Sequence, residues 1–297
     1  MGEQALVVGA VDIGTNSMRL LVTDGQHDYE RIVRVTGLGR GVDASGHLSA
    51  PAIERTVGAL AEFGEIMTSL GVATRRAIAT SASRDAENRD EFFDLAEAAL
   101  GVRPELITGD EEARLAFIGA TSHLEDTTGM VVSDIGGGST EFVNSEGGVS
   151  VEMGTVRLTE RVLPDRPPTP AQLEAAHHVV LDRFSRVYTA SGAKLTGVAG
   201  TWTSLGAIGL DLVEYDRSMV HDSEMTHAEL GALVDRLATM TLEETEAIPA
   251  LDPDRAPVIL AGAVLALGVM ETLSADHVTI SERDSLDALA SEMLALP

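Results

Sequence analysis

The chain is 297 residues long and 44% hydrophobic, enough for two domains with cores of their own, which excludes disorder as its default state. A formal net charge of −26 argues against broad, nonspecific binding to a nucleic-acid polymer, which needs a basic face. The absence of cysteine excludes disulfides, thiolate metal sites and a cysteine nucleophile.

The opening MGEQALVVGAVDIG has no basic stretch ahead of its apolar run, so it does not read as a signal peptide, and the cytoplasm is the expected compartment. The segment VVGAVDIGTNSMRLLV (7–22) reads as a β-hairpin, with strands over 7–11 and 20–23 and a glycine-containing turn between them. A helix is predicted over 53–70, a strand over 76–80, a helix over 91–100, a strand over 105–107 and a helix over 111–118. The polar stretch EDTTG puts a domain boundary near Glu125. GMVVSDIGGGSTEFV (129–143) then reads as a second hairpin, with strands over 131–133 and 141–143. After a proline-rich turn, PDRPPTP (164–170), come a helix over 170–188 and a strand over 194–198. The last third holds helices over 226–240 and 256–273, a strand over 277–280 and a final helix from Asp284. The apolar run 258–270 is short of the roughly 20 residues a membrane span needs, so it is expected to be a buried helix, with no membrane as partner. Strands alternating with helices give an α/β fold class.

The two hairpins resemble each other. Each reads as an apolar run, Asp-Ile-Gly, two small or polar residues, Ser, and apolar residues again, and Asp12 and Asp134 stand 122 residues apart. A repeat of that length marks a duplicated domain. The expected domains are 1–125 and 126–297, with the last helix free to pack back on the first. In the second turn Gly136, Gly137 and Gly138 are expected to let the backbone approach a ligand and adopt positive φ. Successive N–H groups in such a turn form an anion-binding concavity. Gly14, Thr15, Asn16 and Ser17 form the matching first turn, and Ser139 and Thr140 add donors to the second. A carboxylate beside a phosphate-cradling turn makes electrostatic sense with a cation present. Asp12, Asp134 and Glu141 therefore read as hard oxygen ligands for Mg2+, which usually keeps several waters. Lysine occurs once, at Lys194, so nearly all positive charge is arginine, whose planar fork suits phosphate.

Four segments in this order, DIGTNS, TSASRDAEN, ITGDEEARLAF and DIGGGSTEFV, resemble the exopolyphosphatase and guanosine-pentaphosphatase family. GVAGTWTSL (197–205) resembles that family's later glycine-containing turn, and so adds Gly200 and Thr201 to the phosphate-binding set. The resemblance spans nearly the whole chain and fits the short, two-domain form of the family. It implies a duplicated actin-like ATPase (ribonuclease H-like) fold with a cleft between its domains. There, water and Mg2+, with room for a monovalent cation, would cut inorganic polyphosphate or the terminal phosphate of guanosine pentaphosphate. It makes Arg84 a phosphate ligand able to stabilise charge on the transferred group, with Arg19 a weaker candidate. Glu111 and Glu112 start a predicted helix, where the macrodipole favours acids in any case. The resemblance turns them into candidates for the general base that activates water, and the spacing to the second hairpin favours Glu112. A homodimer is compatible with the family.

Other features carry little. His177 and His178 lack a second ligand pair at metal spacing, and His221-Asp222 is a lone dipeptide. Lys194 is followed by Leu, so there is no Walker A motif. The competing readings are a guanosine pentaphosphate 5′-phosphohydrolase, an actin-like kinase or ATPase, and a non-catalytic phosphate or nucleotide sensor. No adenosine-pocket motif supports the second. The intact carboxylates at Glu112, Asp134 and Glu141 speak against the third.

Overall fold

The computed structural model describes residues 6–187 and 193–295. The first five residues, part of the opening weighed above as a targeting segment, and Tyr188, the last residue of one expected helix, lie outside them. Two compact units are present: Met1–Leu115 with Ser285–Pro297, and Ala116–Asp284. The division falls inside a helix, ahead of Glu125, and the final helix belongs to the first unit.

The first unit runs β1 (Val8–Ile13), β2 (Ser17–Thr23), β3 (Asp28–Val35), α1 (Val42–Ser45), α2 (Ala50–Ser69), β4 (Thr74–Ala79), α3 (Ser81–Asp85), α4 (Arg89–Leu100), β5 (Glu105–Leu106) and the start of α5 (Gly109–Thr121). Its sheet order is β3-β2-β1-β4-β5, with β1–β2 and β2–β3 antiparallel and β4 parallel to both β1 and β5. Every residue of β1 is buried, so this strand reads as a continuous apolar run broken by Asp12 alone. Sequence periodicity missed β3 because DYERIVRV is an edge strand carrying charges on both faces, which is how sheets discourage edge pairing. Leu60, Phe63 and Met67 of α2 and Phe92 and Ala96 of α4 build the core under β1 and β2.

The second unit continues with β6 (Met130–Ile135), β7 (Thr140–Asn144), β8 (Gly147–Val151), α6 (Thr155–Val162), α7 (Pro170–Phe184), β9 (Lys194–Val198), α8 (Ala199–Gly209), α9 (Arg217–Val220), β10 (Ser223–Thr226), α10 (His227–Thr239), α11 (Leu242–Glu246), α12 (Ala256–Leu273) and β11 (His277–Ile280). Its sheet order is β10-β11-β9-β6-β7-β8. The run β8-β7-β6-β9-β11 repeats β3-β2-β1-β4-β5, including which pairs are antiparallel and which parallel. The chain is thus the duplicated, actin-like α/β fold that the sequence implies. The helix α12 is apolar on all sides and is covered by α6, α7, α8 and α10. Its span is the one described segment long and apolar enough to cross a membrane, and 78% of it is buried inside the unit, which makes it a core helix.

The chain ends in α13 (Ser285–Ala295), which packs on β1, β2 and β4 of the first unit. Arg31 pairs with its Asp287 at 2.5 Å, and Arg76 and Arg114 both reach its Glu292, at 2.8 and 2.5 Å.

Candidate active site

In the first unit, the turn between β1 and β2 is closed by the Gly14 N–H donating to the Ser17 carbonyl at 3.0 Å. The loop after β3 then occupies the turn's remaining carbonyls. Gly39 N–H donates to Thr15 O at 2.7 Å, and Thr36 and Gly37 N–H donate to Asn16 O at 3.0 and 2.9 Å. From α3, Ala82 N–H donates to Thr15 Oγ1 at 3.1 Å. The amides of Thr15 and Asn16 make no backbone hydrogen bond among the described residues. A turn whose carbonyls are occupied and whose amides are spare is an anion acceptor.

Asp12 and Arg19 face each other across the β1–β2 pair, and the Arg19 guanidinium donates to Asp12 Oδ2. Arg19 also donates to Ser285 Oγ at 3.1 Å. Asp12 Oδ1 and Asn16 Oδ1 are buried with no hydrogen-bond partner among the described residues. Buried acceptors left in that state need an explanation such as an ion or water.

The structure separates the two glutamates of α5. Thr108 caps the helix, its Oγ1 accepting from Glu111 N–H at 3.2 Å and its carbonyl from Glu112 N–H at 2.9 Å. Glu111 is turned into a two-pronged pair with Arg114, at 2.7 and 2.8 Å, and that guanidinium holds its carboxyl below the usual range. Glu112 accepts from Arg84 Nη1 at 2.9 Å, and the same nitrogen donates to Ile107 O at 3.0 Å. Burial pushes the Glu112 carboxyl up, Arg84 opposes the rise, and the charge of Asp12 adds to it. Asp12, Arg19, Arg84 and Glu112 therefore form one electrostatic group beside the first turn.

In the second unit the same hairpin is drawn with different charges. Gly136 N–H donates to Ser139 O at 3.0 Å, the counterpart of the Gly14–Ser17 bond. Asp134 faces Glu141 across β6–β7, at the register position that Asp12 and Arg19 hold in the first unit. Glu141 is fully buried, Asp134 is 6% exposed, and Ser150 donates to Glu141 Oε1 at 2.7 Å. None of Gly136, Gly137 and Gly138 lies in the left-handed region, which corrects the expectation of positive φ. Close approach from α6 is what constrains this turn instead: a Cβ on Gly154 would lie 2.5 Å from the Gly137 carbonyl oxygen. Thr155 N–H donates to Gly136 O and Val156 N–H to Gly137 O, both at 2.9 Å, while Arg157 Nε donates to Gly138 O at 3.1 Å. The amides of Gly137, Gly138 and Ser139 make no backbone hydrogen bond among the described residues. Thr140 and Thr201 use their hydroxyl protons inside the unit, on Met153 O at 2.6 Å and Ile135 O at 2.7 Å. Gly200 lies in the first turn of α8, against the Arg255 guanidinium.

The donor set suits magnesium without forming a cage for it. Asp134 and Glu141 set two carboxylates at facing positions, hard oxygen donors of the kind magnesium takes. Among the described residues no group of three or more His, Cys, Asp or Glu side chains could hold a metal ion. Magnesium is commonly held by one or two carboxylates plus waters and substrate phosphate, so such a sparse set is compatible with it.

A model of the Ppx/GppA phosphatase family matches residues 22–293. The chain belongs to that family. It is 40% identical to exopolyphosphatase 2 of Mycobacterium tuberculosis over 95% of this chain and 97% of that protein. Among solved structures, an exopolyphosphatase-like protein superposes with a TM-score of 0.91 at 36% identity, over 96% of this chain and 98% of the other. A Ppx/GppA family member from Aquifex aeolicus superposes with a TM-score of 0.80 at 30% identity, over 97% and 98%. For this Ppx/GppA chain, sequence reasoning had missed two parts of the site: the loop over 36–39 and Arg157. Both act on the turns through backbone carbonyls, which no side-chain motif announces. The available signal was Gly154 ahead of TVRLTERV, a glycine at the mouth of a short helix half of whose residues are β-branched and of low helix propensity.

Proposed function

We propose that this chain is an exopolyphosphatase, releasing orthophosphate from the end of inorganic polyphosphate by attack of a carboxylate-activated water. The observation that carries the mechanism is Glu112, a carboxyl raised by burial and fixed by Arg84 within the charge group of Asp12 and Arg19. A raised carboxyl is a better proton acceptor at neutral pH than an exposed one. The 40% identity to a protein named exopolyphosphatase supports the substrate.

In this reading Glu112 orients the water and takes its proton. Arg84 holds Glu112 and places positive charge near the terminal phosphoryl group. Each unit offers its own phosphate-binding turn, through the spare amides of Thr15 and Asn16 in the first and of Gly137, Gly138 and Ser139 in the second. The carboxylates open to Mg2+ are Asp12 in the first unit and Asp134 and Glu141 in the second; the ion when bound would supply charge neutralisation for the phosphates. A repeating substrate needs such donors and no base pocket. A cytoplasmic location belongs to the same reading, supported by a chain without cysteine.

Orthophosphate release from polyphosphates of graded length, guanosine pentaphosphate and ATP, with and without Mg2+, tests this. Polyphosphate should give the highest kcat/KM, and only with the metal. Preference for guanosine pentaphosphate or ATP would overturn the substrate assignment, and full activity in a chelator would overturn the cation.

A further inference from the structure

The two turns expose their amides for the same physical reason, and in the second unit one side chain completes the arrangement. Every peptide unit that points its carbonyl one way points its N–H the other. In the first turn backbone N–H groups of residues 36, 37 and 39 hold the carbonyls of Thr15 and Asn16. In the second, α6 supplies backbone N–H groups to Gly136 O and Gly137 O, while the counterpart of Asn16 O is Gly138 O, and that carbonyl is held by the Arg157 guanidinium. Two uncharged backbone donors in one copy are thus replaced by a charged side chain in the other. Arg157 is only 9% exposed, and its own backbone N–H also approaches Gly137 O at 3.4 Å. Three consecutive glycines would otherwise let these peptides rotate, since glycine leaves its backbone the most freedom to lose.

We infer that Arg157 is a positioning residue for phosphate binding: by holding the Gly138 carbonyl it fixes the Gly138–Ser139 peptide plane, so that the Ser139 amide meets the substrate's oxygens beside the Gly137 and Gly138 amides, whose planes α6 holds. It touches no reacting atom. Its effect is on the orientation of donors, so it should appear in binding before it appears in the chemical step. Preorganised donors of this kind lose their value when they must reorient at the moment of binding.

The inference rests on the phosphate-hydrolase reading above, so its test includes a binding measurement that needs no turnover. Arg157→Met keeps an unbranched stem for packing and removes the donor, and Arg157→Lys keeps charge with a single ammonium. Binding of inorganic orthophosphate and of a short polyphosphate is measured by calorimetry, alongside KM, kcat and the melting temperature. Expected is a loss of affinity of about tenfold in Arg157→Met, the scale of one charge-assisted hydrogen bond, with KM rising by the same factor and more than kcat falls. Arg157→Lys should recover part of it. The backbone 15N shift of Ser139 should move in Arg157→Met without ligand. Unchanged affinity in a folded Arg157→Met would overturn the inference. So would a fall in kcat alone, or losses that track the melting temperature in both variants while the Ser139 shift stays put. If the unsubstituted protein binds neither phosphate nor polyphosphate, the functional reading fails first and this inference falls with it.

Discussion

The β1–β2 and β6–β7 hairpins share a backbone and differ in charge. Both are closed by one glycine-to-serine bond, both carry an aspartate at the second-to-last residue of the first strand, and both have their turn carbonyls occupied from the element that follows the third strand. Opposite Asp12 stands Arg19; opposite Asp134 stands Glu141. The first hairpin therefore carries its cation covalently, as a guanidinium. The second sets two carboxylates at the facing positions, with Glu141 fully buried and accepting from Ser150. Duplication preserved the hairpin backbone and let the facing side chains differ in charge. Glu112 lies in the charge field of the hairpin that is already neutralised.

The largest effect separating the two should come from Glu112. Glu112→Gln removes the proton acceptor and should lower kcat by about 10²–10⁴, with the fold retained. Orthophosphate release and a melting curve check this, and near-normal turnover would remove the residue as base. Its pH behaviour follows from the sign of its shift. The base works ionised, so activity should fall as pH drops through a midpoint above the ordinary 4.5. Arg84→Met removes the neighbouring cation and should move that limb to still higher pH. For stability, the folded state holds this proton more tightly than the unfolded state. The stabilising effect is full below 4.5 and is lost as pH rises through the raised folded value, a decline that Glu112→Gln should abolish.

Next in size is the built-in cation. Arg19→Met leaves Asp12 buried without its guanidinium and should destabilise the protein by about 3–5 kcal/mol, read from urea unfolding at neutral pH. A change below about 1 kcal/mol, the range of an exposed pair, would mean that Asp12 is solvated and the contrast between hairpins is weaker than drawn.

A smaller effect is expected in the second hairpin: Glu141→Gln removes a buried carboxylate facing Asp134 and should need more Mg2+ for half-maximal activity. An unaltered magnesium requirement would place the ion away from this pair.

The smallest effect is expected at Glu111. Its partner Arg114 keeps Glu292 as a second carboxylate, and the pair is partly exposed, so Glu111→Gln should cost less than about 1 kcal/mol. Turnover should change by less than about twofold. A loss comparable to that of Glu112→Gln would reverse the assignment within α5.

Much of this was readable from the chain. The Asp-Ile-Gly repeats announced the duplication because a buried apolar strand interrupted by one aspartate and ended by glycine is a rare local pattern, and Asp12 and Asp134 do occupy matching places. The helices α2, α10 and α12 followed from apolar periodicity or continuous hydrophobicity, because burial of one face or of all faces leaves a direct trace in composition. Less legible were β3, β8 and α6. The first is a charged edge strand, the second opens on two glycines, and the third is built from β-branched residues, so each violates its usual propensity and is held by its neighbours.

Sequence by itself determined the two-copy architecture, the glycine turns and the set of acidic and arginine residues available for phosphate chemistry. Only the tertiary structure decided which glutamate of α5 faces the charge group, that the last helix joins the first unit, and that α6 and Arg157 set the direction of the second turn's amides. The physical reason is one of range. Strand and helix patterns are local and are written in neighbouring residues, whereas a carboxyl's partner and a carbonyl's donor are chosen by segments far along the chain that packing brings into hydrogen-bond distance.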